Sequence, residues 1–191
     1  MLGALLAALA LGAPMPEAPQ GDDVAWSVPN GDATYVARQS ATDSGCHLEV
    51  LHDADQSVLW HKDACFGGHG DRKLLSRDGS RLMVFAALPP ADGSSPSAWR
   101  TATVAWLFEK GHVVDTAVAG QLVRDASKIR KGVTHFSWLQ GVGGVPGVPP
   151  RLDGAGDAVL VDAIDGKQTE LKFTGFRLPP LGPEKTKKHR F

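Results

Sequence analysis

Apolar residues in this chain come in short runs of about four to seven, each ended by Gly, Pro, Asp or Asn. Sustained spacing of the kind that builds a helix face is almost absent. A chain punctuated in this way buries its runs as strands, and the strands recur. A similar pattern appears three times with a period of roughly 50 residues. In the first copy, Val24 to Val28 leads through the turn Pro29-Asn30-Gly31-Asp32 into Ala33 to Arg38, then His47 to Leu51, a polar turn at Asp53 to Gln56, and Ser57 to His61. In the second, Lys73 to Ser76 leads through Arg77-Asp78-Gly79-Ser80 into Arg81 to Leu88, then Thr103 to Phe108, the turn Glu109-Lys110-Gly111, and His112 to Val118. The third has Val133 to Leu139, a long loop, Ala158 to Ala163, the turn Ile164-Asp165-Gly166-Lys167, and Gln168 to Phe173.

Asn-Gly and Asp-Gly at the turn centres are the residues that tolerate the positive φ of tight hairpins, so each copy predicts antiparallel strands joined in sequence order. Leu82 to Leu88 is apolar on both faces and suits a central strand. The fold class that follows is all-β, built of antiparallel four-stranded meander repeats in one domain over residues 21–180. One helix candidate stands out at Gln121 to Lys131, with Leu122, Ala126 and Ile129 on one side.

The stretch Leu74-Leu75-Ser76-Arg77-Asp78-Gly79-Ser80-Arg81-Leu82 resembles the S-x-D-G-x-x-L hairpin of TolB-type and other WD40-like β-propeller blades, carried here by Ser76, Asp78, Gly79 and Leu82. The resemblance covers about a dozen residues and implies a propeller-like arrangement of the repeats. Three units fall short of the four or more that close a propeller, so an open stack, closure by oligomerisation and a β-sandwich of similar meanders are the alternatives.

The N-terminal region bears on location. Leu2 to Leu11 is uncharged and apolar, about half the length needed to span a bilayer, and Ala8-Leu9-Ala10 has the A-x-A form that a signal peptidase accepts. Residues 1–20 therefore read as a signal peptide and Pro-rich linker, and the protein as exported to the periplasm or secreted, with no transmembrane span in the mature chain. Export agrees with the two cysteines, because Cys46 and Cys65 are then most simply one disulfide. The last segment, 181–191, is a basic tail without the composition for fixed structure.

With 20 basic and 21 acidic residues, no overall field draws in nucleic acid. No G-x-S-x-G, H-E-x-x-H, G-x-x-x-x-G-K-[ST] or C-x-x-C-H pattern is present. Gly141-Val142-Gly143-Gly144 is followed by Pro146, which lacks the N–H that a phosphate cradle requires. Between Cys46 and His69, however, His47, His52, His61 and His69 lie among Asp53, Asp55 and Asp63. Imidazoles at such density are candidate zinc ligands, with His47, His61 and His69 the preferred set once the cysteines are oxidised. Asp153 and Asp157 read as turn formers. Two Gly/Pro/Ser-rich connections, Pro89 to Ser97 and Gly141 to Pro150, are candidate binding loops. Two functions follow as expectations. One is a non-enzymatic exported module that binds a protein or an envelope component and needs no cofactor. The other is a metal-binding protein or metal-dependent hydrolase using the Cys46–His69 cluster.

Overall fold

The structure is a computed structural model that describes residues 24–90 and 97–182. The segment read as a signal peptide and linker, the tip of the loop after Pro89 and the tail from residue 183 onward lie outside the described residues. Strand follows strand with antiparallel pairing. β1 (Trp26–Pro29), β2 (Tyr35–Thr42), β3 (Gly45–His52) and β4 (Val58–Lys62) form the first sheet in sequence order. β5 (Arg72–Leu75), β6 (Arg81–Phe85), β7 (Thr103–Glu109) and β8 (His112–Val118) form the second. Two short strands, β9 (Arg130–Lys131) and β10 (Phe136–Ser137), pair with each other. The last sheet contains β11 (Arg151–Leu152), β12 (Ala158–Asp162) and β13 (Gln168–Lys172). The all-β expectation and the run of meanders agree with this order.

Period-two alternation decides how the sheets pack. Along β6, Leu82 and Val84 join Ala37, Leu48, Val50 and Trp60 of the first sheet in one core cluster. Their neighbours Met83 and Phe85 join Val159, Val161 and Leu171 of the last sheet in another. Trp106 and Phe108 of β7 face the first cluster, and Ala105 and Leu107 the second. The middle sheet is therefore buried on both faces, which accounts for the near-continuous apolar run of β6. The outward face of the first sheet instead carries the cross-strand row Ser27, Arg38, Glu49, His61. The outward side of the last sheet carries the pair Arg151 and Asp162, 2.6 Å apart, together with Gln168 and Glu170. Polar outer faces end the stack on both sides.

The third repeat departs from its expected form. Trp138 to Gln140 bonds along β12, through Ile164 N–H to Trp138 O and Gln140 N–H to Asp162 O, with Leu139 opposite Ala163. Were that strand continuous, Val142 would stand opposite Leu160; Arg151 stands there instead, so nine residues are looped out of one strand. The Gly141 to Pro150 connection is thus an insertion within the first strand of this meander, at the edge of its sheet.

The helix expected over 121–131 is a correction. Only α1 (Ala119–Leu122) and a single 3-10 turn at Ala126–Lys128 form. The Asp165 carboxylate, from the β12–β13 hairpin, accepts the N–H groups of both Arg124 and Asp125, at 2.7 and 2.9 Å, and Val123 is extended. A carboxylate with two N–H donors displaces the carbonyl partners that helical continuation would need.

The hairpin at Ser76 to Arg81 shows why its residue types recur. Ser76 Oγ donates to Asp78 Oδ1 and accepts from Arg81 N–H, while Asp78 also accepts from Ser80 N–H and Ser80 Oγ. Burial works to raise the Asp78 carboxyl, but these bonds outweigh it and hold the group below its usual range. Gly79 has φ +69°, and a Cβ there would lie 2.8 Å from Tyr35 Cγ and 3.0 Å from Leu59 Cδ2. Strain and overlap act together. Gly79→Ala is expected to cost about 2 kcal/mol, measured as a lower urea midpoint; an unchanged midpoint would contradict this account of the turn.

Candidate functional site

The histidine cluster does not assemble as the spacing suggests. Cys46 and Cys65 form a disulfide, with their Cα atoms 4.9 Å apart, so neither is a thiolate ligand. His47 of β3 and His61 of β4 do meet, their ring centroids 5.6 Å apart and the planes tilted by 31°. His47 Nδ1 lies 2.7 Å from Asp63 Oδ1, and that hydrogen bond holds the exposed Asp63 carboxyl below its ordinary range. His69 stands elsewhere, in a cleft of ≈ 190 Å³ beside Trp26, Ser27 and Val28 of β1. Strands β1 and β4 are opposite edges of one sheet, three inter-strand spacings or about 14 Å apart. Meander topology therefore keeps His69 from the His47–His61 pair. Among the described residues no three His, Cys, Asp or Glu side chains form a group able to hold a metal.

Two buried polar residues not singled out by sequence fix the loop that carries His69. Gln39 Nε2 donates to Val24 O and Gly67 O, at 2.6 and 3.3 Å, and its Oε1 accepts Phe66 N–H at 2.6 Å. Lys73, only 5% exposed, donates from Nζ to Gly68 O and sits 5.1 Å from the centroid of the Trp26 ring. Burial pushes the Lys73 amine down to about 8, against the opposing pull of Asp71. Both side chains serve as clamps between the first two sheets. Lys73 looks like an ordinary strand-start lysine in the sequence because its burial depends on the neighbouring sheet.

A different place gathers a hairpin turn from each of the first, second and last sheets. Asn30, buried in the first turn, accepts Tyr35 N–H at Oδ1 and donates from Nδ2 to Arg77 O at 2.9 Å. This joins the first sheet's turn to the second sheet's turn. A Cβ on Gly31 would lie 3.0 Å from Leu152 Cδ1, and one on Gly156 would lie 3.7 Å from Arg77 Cβ, so the last sheet's turn closes against both. Two clefts open here and share Arg77 and Gly156. The first, ≈ 370 Å³, is lined by Gly31, Asp32, Arg77 and residues 152–156. The second, ≈ 480 Å³, includes Ser76, Asp78, Arg81, Asp157, Lys172 and Phe173.

Most charged groups around these clefts are committed to the fold. Arg81 binds Glu109 Oε1 from Nε and Nη2 and Phe173 O from Nη1. Asp153 Oδ1 accepts N–H groups from Asp157 and Ala158. Asp32 accepts Thr34 N–H, and the hydrogen bonds from Thr34 hold its carboxyl below the usual range. Ser76 Oγ is occupied by Asp78 and Arg81 and is no free nucleophile. Arg77 differs: its backbone is pinned by Asn30, its side chain is exposed, and its guanidinium has no partner among the described residues. The arrangement presents a guanidinium without a protein partner among the described residues, carried on a fixed backbone where the two clefts meet. Compared with protein-family models, with curated proteins and with solved structures, the chain matches none.

Proposed function

We propose that this protein is an exported, non-enzymatic binding module that holds a polar ligand, part of a protein or of an envelope component, in the double cleft around Arg77. The observation that carries this reading is the convergence of three hairpin turns on one arginine whose backbone is fixed and whose donors are unused. The apolar segment Leu2 to Leu11 and the Cys46–Cys65 disulfide support export. Among the described residues no helix is long and apolar enough to cross a membrane. Two successive four-stranded meanders and a shorter third favour a propeller-like stack that stays open, and the polar outer faces favour a stack that ends within one chain. The same layers are compatible with a sandwich description. A zinc site has in its support only the His47–His61 pair.

Gly154 supplies the test. Its φ is outside the left-handed region and a Cβ there would meet nothing within 4 Å, so neither conformation nor packing requires glycine. It lines the first cleft. Gly154→Ala is expected to leave stability unchanged or raise it by about 0.5 kcal/mol. Gly154→Trp is expected to keep the unfolding midpoint while abolishing binding to whichever members of a panel of envelope glycans and peptides the parent protein retains. Equal binding by the Trp variant would remove the cleft from consideration.

A further inference from the structure

We infer that the first cleft recognises an oxyanion, a carboxylate or phosphate group on the ligand, with Arg77 as its cationic anchor. This inference rests on the reading of that cleft as the ligand site. Four features carry it. The Arg77 guanidinium has five N–H donors and no acceptor among the described residues. Its Cα position is set by Asn30, so pairing with a ligand costs side-chain order but no backbone order. Asp32, Gly154 and Ala155 line this cleft, and their backbone N–H groups bond to no other described residue. Finally, Gly154 leaves open space where the fold would accept a side chain.

The acidic side chains nearby do not reverse this. Asp32 and Asp153 each turn an oxygen to backbone N–H groups of their own turns, and neither pairs with Arg77. Planar guanidinium and backbone N–H groups in one recess suit a trigonal or tetrahedral oxyanion, which accepts several hydrogen bonds at once.

The experiment is a calorimetric titration of the full mature chain with inorganic phosphate and, separately, with trigalacturonate as a carboxylate source. Saturable binding of at least one probe is expected, weakened about tenfold or more by Arg77→Ala and reduced by added salt. Arg38→Ala is the control, because Arg38 lies on the outer face of the first sheet and is bound to Gln56 Oε1; its binding should equal that of the parent. Binding of one probe and not the other identifies the oxyanion as phosphate or carboxylate. No saturable binding of either probe, or equal binding by the Arg77→Ala and parent proteins, overturns the inference. If neither anion binds while a neutral glycan binds and is lost in Gly154→Trp, the cleft remains the ligand site and only its anion preference fails.

Discussion

Trp138→Ala is expected to lower the free energy of unfolding by about 4 kcal/mol. Trp138 is fully buried in the cluster between the middle and last sheets, on the half-strand that precedes the nine-residue insertion. Its Nε1 donates to Ala86 O at 2.8 Å, just beyond β6. One side chain therefore both fills the space between two sheets and bonds the third meander to the second. Removing it leaves a large cavity and an unpaired carbonyl. Trp138→Phe separates the two terms, and a cost of about 1–2 kcal/mol is expected for it, chiefly the hydrogen bond and the smaller ring. Urea denaturation with unchanged m-values measures both. A loss below about 2 kcal/mol for the alanine variant would mean that this interface is far looser than described.

Replacing both Cys46 and Cys65 with serine is expected to cost about 3 kcal/mol, the chain-entropy value for a closed loop of this size. The native loop does not depend on the bond alone, because Gln39 and Lys73 clamp Phe66, Gly67 and Gly68 independently. The loss should thus appear through the unfolded chain: a lower midpoint with an unchanged near-ultraviolet spectrum below the transition. Ligand binding should also survive. Cys46 is opposite Ala41 at one end of β2, whereas the Asn30 turn adjoins Val36 at the other, about 17 Å away along the strand. If the variant lost binding while still folded, the disulfide end and the turn end would be coupled in a way that this packing does not provide.

Much of the architecture was legible from local chemistry. The tight turns at Pro29–Asp32, Asp78–Gly79 and Asp165–Gly166 declare themselves through residues that accept positive φ or cap their own backbone, and the strands between them alternate or run apolar according to how many faces they bury. The oxidised pair of cysteines followed from their number and from the expectation of export. Gln121 to Lys131 misled because helical periodicity is blind to Asp165, a distant carboxylate that captures the N–H groups of Arg124 and Asp125. The division of one strand into Trp138–Gln140 and Arg151–Leu152 was hidden because both halves are too short to carry a pattern. His69 seemed to belong with His61 through closeness in sequence, which a meander undoes by placing β1 and β4 at opposite edges. The Arg77 cleft was illegible for the converse reason. Its walls come from three turns far apart in the chain, and each turn looks like simple punctuation on its own. The one local trace was Gly154, a glycine that its turn does not need.

The central claim is that ligand occupies the junction of the three hairpin turns. Amide chemical-shift mapping of the full chain against a set of small acids and sugars tests it most directly. The account predicts shifts concentrated at residues 30–32, 77–78 and 153–157 with the His47–His61 face silent. Shifts collected on that histidine face, or scattered without relation to Arg77, would contradict it.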